Sequence, residues 1–160
     1  MKKIVLILCC AAAMSLTSCS SLLGTSSNTN TASTTAVGAT ATPQQNGHAC
    51  AQSLLALYNS KQTNGSVSIT NPSDLTNIIT LVNSCTQLKA NKDDASYKSQ
   101  FTAGMVSAGG SLINVNNASK IVTSIINSTG ISTNFESVNI SEKMQTVTAI
   151  IQILNLLRAN

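Results

Sequence analysis

The stretch Asn71-Pro72-Ser73-Asp74-Leu75-Thr76-Asn77-Ile78-Ile79-Thr80-Leu81-Val82-Asn83-Ser84-Cys85-Thr86-Gln87-Leu88-Lys89-Ala90 decides the fold class. Asn71 is a natural helix N-cap, because its side-chain oxygen can accept from the free N–H groups of the first turn. Pro72 suits the first helical position, where no N–H is needed. Asp74 complements the positive end of the helix dipole. Leu75, Ile78, Ile79, Val82 and Cys85 then recur at intervals of three and four, which places them on one face of a helix. A half-buried strand would alternate every second residue, and this stretch does not.

Outward from this helix the chain breaks into pieces of similar size. Towards the N-terminus, residues 48–62 put Leu54, Leu57, Tyr58 and Lys61 on one helical face, closed by Asn64-Gly65. Beyond it, residues 94–108 offer Tyr97, Phe101, Met105 and Ala108. Gly104, Gly109 and Gly110 weaken that piece, since each glycine inside a helix costs about 1 kcal/mol relative to alanine. Residues 116–128 present Ala118, Val122, Ile125 and Ile126 before a stop at Gly130. A last helix starts near Asn139, with Glu142 placed for a capping box. It runs through Met144, Val147, Ile151 and Leu154 to Leu157, and Ile150, Ile153 and Leu156 widen its apolar face as expected for a helix at the centre of a bundle. None of these stripes can bury itself alone, so the expected fold is all-α, a compact bundle of four or five short helices over 48–160. The rival is a small strand at 66–70, where Val67 and Ile69 alternate, with a second near 131–138.

The chain has 160 residues, of which 42% are hydrophobic, 2% aromatic and 9% charged. With no Trp, the core must come from Leu, Ile, Val, Ala and Met, and the polar surface from Ser, Thr, Asn and Gln. The formal charge is +4. Nucleic-acid binding calls for a basic patch or stripe, often with stacking aromatics. The lysines from Lys61 to Lys143 and Arg158 are scattered instead, which argues against a nucleic-acid partner.

The first residues read MKKIVLILCCAAAMSLTSCSS. Lys2 and Lys3 form a positive start, Ile4 to Met14 an apolar run, and small residues follow, as in a secretory signal. A membrane-spanning helix needs about 20 apolar residues, and this run is near half that. Cys9 and Cys10 serve here as small apolar residues. Leu16-Thr17-Ser18-Cys19 resembles the lipobox of bacterial lipoprotein precursors: an aliphatic residue three before a cysteine, with small residues between. The resemblance covers only about the first 20 residues. It implies cleavage between Ser18 and Cys19, a diacylglycerol group on the Cys19 sulfur and an acyl chain such as palmitate on the new amino terminus. Each buried methylene contributes about 0.8 kcal/mol, so two or three chains make a stable membrane anchor. No other cofactor is expected. Loss of Lys2 and Lys3 leaves seven basic against five acidic residues, so the mature charge falls to +2.

By the same resemblance, Ser20 after the lipidated cysteine implies delivery to the outer membrane, where Asp would imply retention at the inner one. No acidic cluster follows Cys19, which favours a domain facing the periplasm. The expected organisation is a signal peptide at 1–18, a lipidated Cys19 and flexible tether at 19–47, and the helical domain at 48–160. The stretch 20–47 has no charge and too little apolar content to fold. As a coil of about 28 residues it would span roughly 30 Å.

Processing leaves Cys50 and Cys85 as the unlipidated cysteines. A pair in an oxidising compartment reads as a disulfide. Antiparallel first and second helices would bring them side by side, and a loop of roughly 36 residues closed this way contributes about 3–4 kcal/mol. The alternative is a metal or catalytic thiol beside His48, but His48 is the one histidine and no fourth ligand suggests itself. No metal site is therefore expected.

Catalytic chemistry has little to build on. No Gly-x-Ser-x-Gly elbow or phosphate loop stands out. Asp93 and Asp94 are adjacent, and neighbours in a helix do not face each other; they fit a solvated loop or a helix start. Glu136 and Glu142 fit surface or capping roles. The expectation is a non-enzymatic module, anchored to the envelope by lipid, that docks another envelope protein as scaffold, accessory subunit or inhibitor. The alternative is a binding module holding a lipid or other apolar molecule between its helices.

Overall fold

A computed structural model describes residues 36–158. The described chain is a bundle of five helices: α1 (Pro43–Asn64), α2 (Pro72–Ala90), α3 (Ala95–Ala108), α4 (Val115–Asn127) and α5 (Ile140–Asn155). No strand occurs among the described residues, which confirms the all-α class. The segments 66–70 and 131–138 are loops whose apolar residues still serve the core, with Val67, Ile131 and Phe135 buried.

Most helix starts follow side chains that sequence reading singled out; the cap of α4 was not among them. Asn71 accepts from the N–H groups of Ser73 and Asp74 at 2.9 and 3.3 Å, and Pro72 occupies the first turn of α2. Asp94 caps α3 by accepting from Ser96 and Tyr97 at 2.8 and 3.0 Å. Asn114 and Asn117 form a reciprocal capping box on α4. Asn139 accepts from the Glu142 N–H at 3.0 Å, one half of the box expected there.

α1 departs from expectation at its start. It begins at Pro43, with Thr42 and Gln45 in a capping box, and not at His48. The chain is already held at Gly38. The Asn46 side chain, 0% exposed, accepts from the Gly38 N–H at 2.8 Å and donates to the Gly38 carbonyl at 3.0 Å and the Tyr97 hydroxyl at 3.2 Å. The domain boundary drawn at His48 therefore moves back to about Gly38. The polar stretch 38–47 folds because its backbone hydrogen-bonds to a buried amide, a route that needs no apolar stripe.

α1 is the central helix. It packs against α2 and α3, and Cys50 near its start meets Cys85 late in α2, so α1 and α2 run antiparallel. At the α1–α3 crossing the backbones touch: a Cβ built on Gly47 would lie 1.9 Å from the Phe101 carbonyl oxygen, and one on Gly104 2.1 Å from that of Gln44. Phe101 and Met105 fill the core beside this crossing, with Leu54, Leu57, Ile78, Leu81 and Leu88.

α5, expected at the centre, lies at the edge of the bundle. Thr146, Val147, Ile150, Ile153 and Leu154 face inward, yet Ile140 and Met144 are 65% and 52% exposed. The small residues of α1 explain the exchange, because close backbone approach needs residues without bulk and the Ile/Leu-rich α5 cannot supply it. Lys61 reaches across from α1 to donate to the Asn155 side-chain oxygen at 3.2 Å.

The loop between α4 and α5 is tied down from two sides. Lys89 donates to the carbonyls of Ser128 and Ile131 at 2.5 and 3.3 Å. The buried Thr146 hydroxyl donates to the Gly130 carbonyl at 3.0 Å and accepts from the Ser132 N–H at 3.2 Å. Thr146→Val keeps the shape and strands both loop groups, so it should lower stability by about 1–2 kcal/mol. A shift in the urea unfolding midpoint at unchanged slope checks this.

Candidate functional site

The residues that could carry chemistry are few and mostly apart. Cys50 on α1 and Cys85 on α2 are fully buried in the core and lie against each other. The expected bridge is absent from the structure; both are free thiols. A hydrogen bond with Cys85, reinforced by complete burial and by the like charge Cys85 would carry, pushes the Cys50 thiol well above its ordinary value. The Cys50 sulfur is thus held as a neutral thiol, and both cysteines lie in an apolar setting closed to solvent, which is poor ground for nucleophilic catalysis.

His48 and Gln52 sit one turn apart on α1, and the His48 Nδ1 and Gln52 Oε1 atoms are buried without hydrogen-bond partners. Asp94 is consumed as a helix cap, Asp93 and Glu136 are exposed, and Glu142 occupies the first turn of α5. Asp74 is buried and accepts from the Ser68 N–H at 2.9 Å, holding the α1–α2 loop. Among the described residues, no three of the His, Cys, Asp and Glu side chains converge on one point. Cys19, the Ser18–Cys19 cleavage point and the signal segment lie outside the described residues, as does most of the tether. None of the helices described is long and apolar enough to cross a membrane.

The surface offers two open grooves that the sequence does not reveal. The larger, about 910 Å³, runs between α4 and α5. Its walls mix hydroxyls and amides, among them Ser124, Asn127, Gln145, Thr148 and Gln152, with the apolar Ala149, Ile153, Leu156 and half-exposed Met144, and none of the residues lining it is charged. The second, about 690 Å³, lies between α3 and α4 over Ala103, Val106, Val115 and Val122, with Lys98 among its lining residues. Met144 carried the one available signal: a large apolar residue on a helix whose buried face is already supplied by Val147, Ile150 and Leu154.

No family model matches this chain, and no curated protein or solved structure matches it either.

Proposed function

We propose that the mature protein is a lipid-anchored, non-enzymatic docking module of the bacterial envelope, held by Cys19 to the outer membrane and facing the periplasm. The α4–α5 groove carries the reading. Its uncharged walls offer both donors and acceptors, and Met144, with Ile153 and Leu156 beside it, supplies an adaptable apolar contact. The partner this suits is an uncharged segment of another envelope protein, hydrogen-bonding through its main chain and seating one apolar side chain beside Met144. In that oxidising compartment the Cys50 and Cys85 thiols, free in the structure, are oxidised to a disulfide.

A photo-crosslinking residue at the exposed Thr148, in full-length protein in its own membranes, should capture one partner species. The same residue at Thr76, exposed on α2, should capture none. Met144→Lys, a surface change, should abolish the Thr148 adduct while leaving the fold intact by circular dichroism. Equal capture at both positions, or capture untouched by Met144→Lys, would overturn the docking assignment. Intact mass of detergent-extracted protein tests the anchor: cleavage before Cys19 plus the acyl chains is expected.

The apolar floor of the α3–α4 groove favours a second reading, a bound acyl chain lying over Val106, Val115 and Val122. Native mass spectrometry of protein extracted in mild detergent should then show a co-purifying lipid.

A further inference from the structure

Thiol–disulfide exchange needs a thiolate, and it needs room for an external disulfide to approach in line with that sulfur. The folded domain grants no such room at the Cys50–Cys85 pair. Both residues are 0% exposed, and both belong to the continuous core formed by α1, α2 and their neighbours. Their mutual hydrogen bond and burial hold Cys50 in its neutral form. In the unfolded chain both thiols are open to solvent.

We propose that Cys50 and Cys85 can be oxidised only before α1 and α2 close on each other, so that the redox state chosen during folding is then locked in. This rests on the disulfide assigned above and adds the order of events. The oxidant is a disulfide, either a small molecule or one borne by a protein. One cysteine thiolate attacks it, forming a mixed disulfide and expelling one thiolate. The second cysteine attacks the sulfur of the first, forming the Cys50–Cys85 bond and expelling the other thiolate. The two cysteines lose two electrons, the oxidant gains them and leaves as two thiols, and the cysteine protons pass to solvent or to the departing groups. Packing of α1 against α2 then shields the bond from reductant as it would shield the free thiols from oxidant.

The lock also has a consequence for timing. Residues 50–85 form a helical hairpin, a short-range unit that brings the two sulfurs together early, before the more distant α3 must be docked. The window for oxidation is thus the interval between forming the hairpin and sealing it.

Full-length protein, reduced and unfolded in guanidinium, is refolded in two ways. In the first, a glutathione and glutathione-disulfide mixture is present throughout; in the second, the same mixture is added after refolding under reductant. Samples are acid-quenched, and free thiols are counted by maleimide in denaturant, with the Cys50→Ser/Cys85→Ser chain as the blank for other cysteines. The first arm should give a product lighter by the two thiol hydrogens, with neither cysteine labelled. The second should oxidise at least about a hundredfold more slowly than the unfolded chain, because reaction waits on opening of the core. Two free thiols in the first arm would sink the disulfide and the lock together. Oxidation in the second arm at the unfolded rate would sink the lock alone.

Discussion

Gly104→Ala should destabilise the domain by about 3 kcal/mol or more, although alanine is the better helix former by about 1 kcal/mol. The added methyl would lie 2.1 Å from the Gln44 carbonyl oxygen and 2.9 Å from the His48 nitrogen. Both are backbone atoms inside α1, so no side chain can swing aside, and the helices must part. Parting them opens the packing of Phe101 and Met105, the largest buried side chains of α3. Guanidinium unfolding followed by helical circular dichroism should show a much lower midpoint; a midpoint equal to or above the parent's would refute the backbone contact. Gly47→Ala, whose methyl would meet the Phe101 carbonyl, should act in the same direction. The double variant should lose less than the sum of the two, because one substitution already separates the helices.

Asn46→Ala should cost about 2–3 kcal/mol. The substitution strips the Gly38 N–H and carbonyl and the Tyr97 hydroxyl of their partner in a site where Asn46 is wholly enclosed. Part of the loss is recovered if residues 38–41 peel away and hydrate, which keeps the figure below that for Gly104. Asn46→Asp should not rescue: it still accepts from the Gly38 N–H, but it sets a carboxylate oxygen against the Gly38 carbonyl. Amide hydrogen exchange at Gly38 is the direct readout. Protection there should vanish in Asn46→Ala while the centre of α1 stays protected. Unchanged protection would mean that the segment is held by something other than this amide.

These two positions also mark where sequence reading stops. α2 was legible because everything that makes it a helix is local: a cap, a proline, an acid in the first turn and one apolar stripe. The caps at Asn139 and Asp94, and the stripe of Phe101 and Met105, were legible for the same reason. The start of α1 was not. Asn46 and Gly47 are buried there, and neither is apolar in the way a stripe requires. Gly104 read as a weakness in α3 because propensity considers one helix at a time, whereas its value lies in a neighbour far along the chain. A faint signal did exist: Gly47 and Ala51, like Gly104 and Ala108, are small residues four apart, the spacing that lets two helix backbones meet. The α4–α5 groove was invisible because it depends on where α5 docks, and an amphipathic helix specifies which face it buries but not against whom.

The contrast between the α1–α3 crossing and the seating of α5 bears on how the protein could accommodate a guest. Where carbonyl meets glycine, any sliding collides at once, so that half of the bundle is a rigid frame. α5 is held through longer side chains, which can change rotamer and let the helix tilt without tearing the frame. The α5 jaw of the larger groove is therefore adjustable. Such a cleft can widen for a bulky insert or narrow onto a slim one, and the strain of doing so stays confined to the rim.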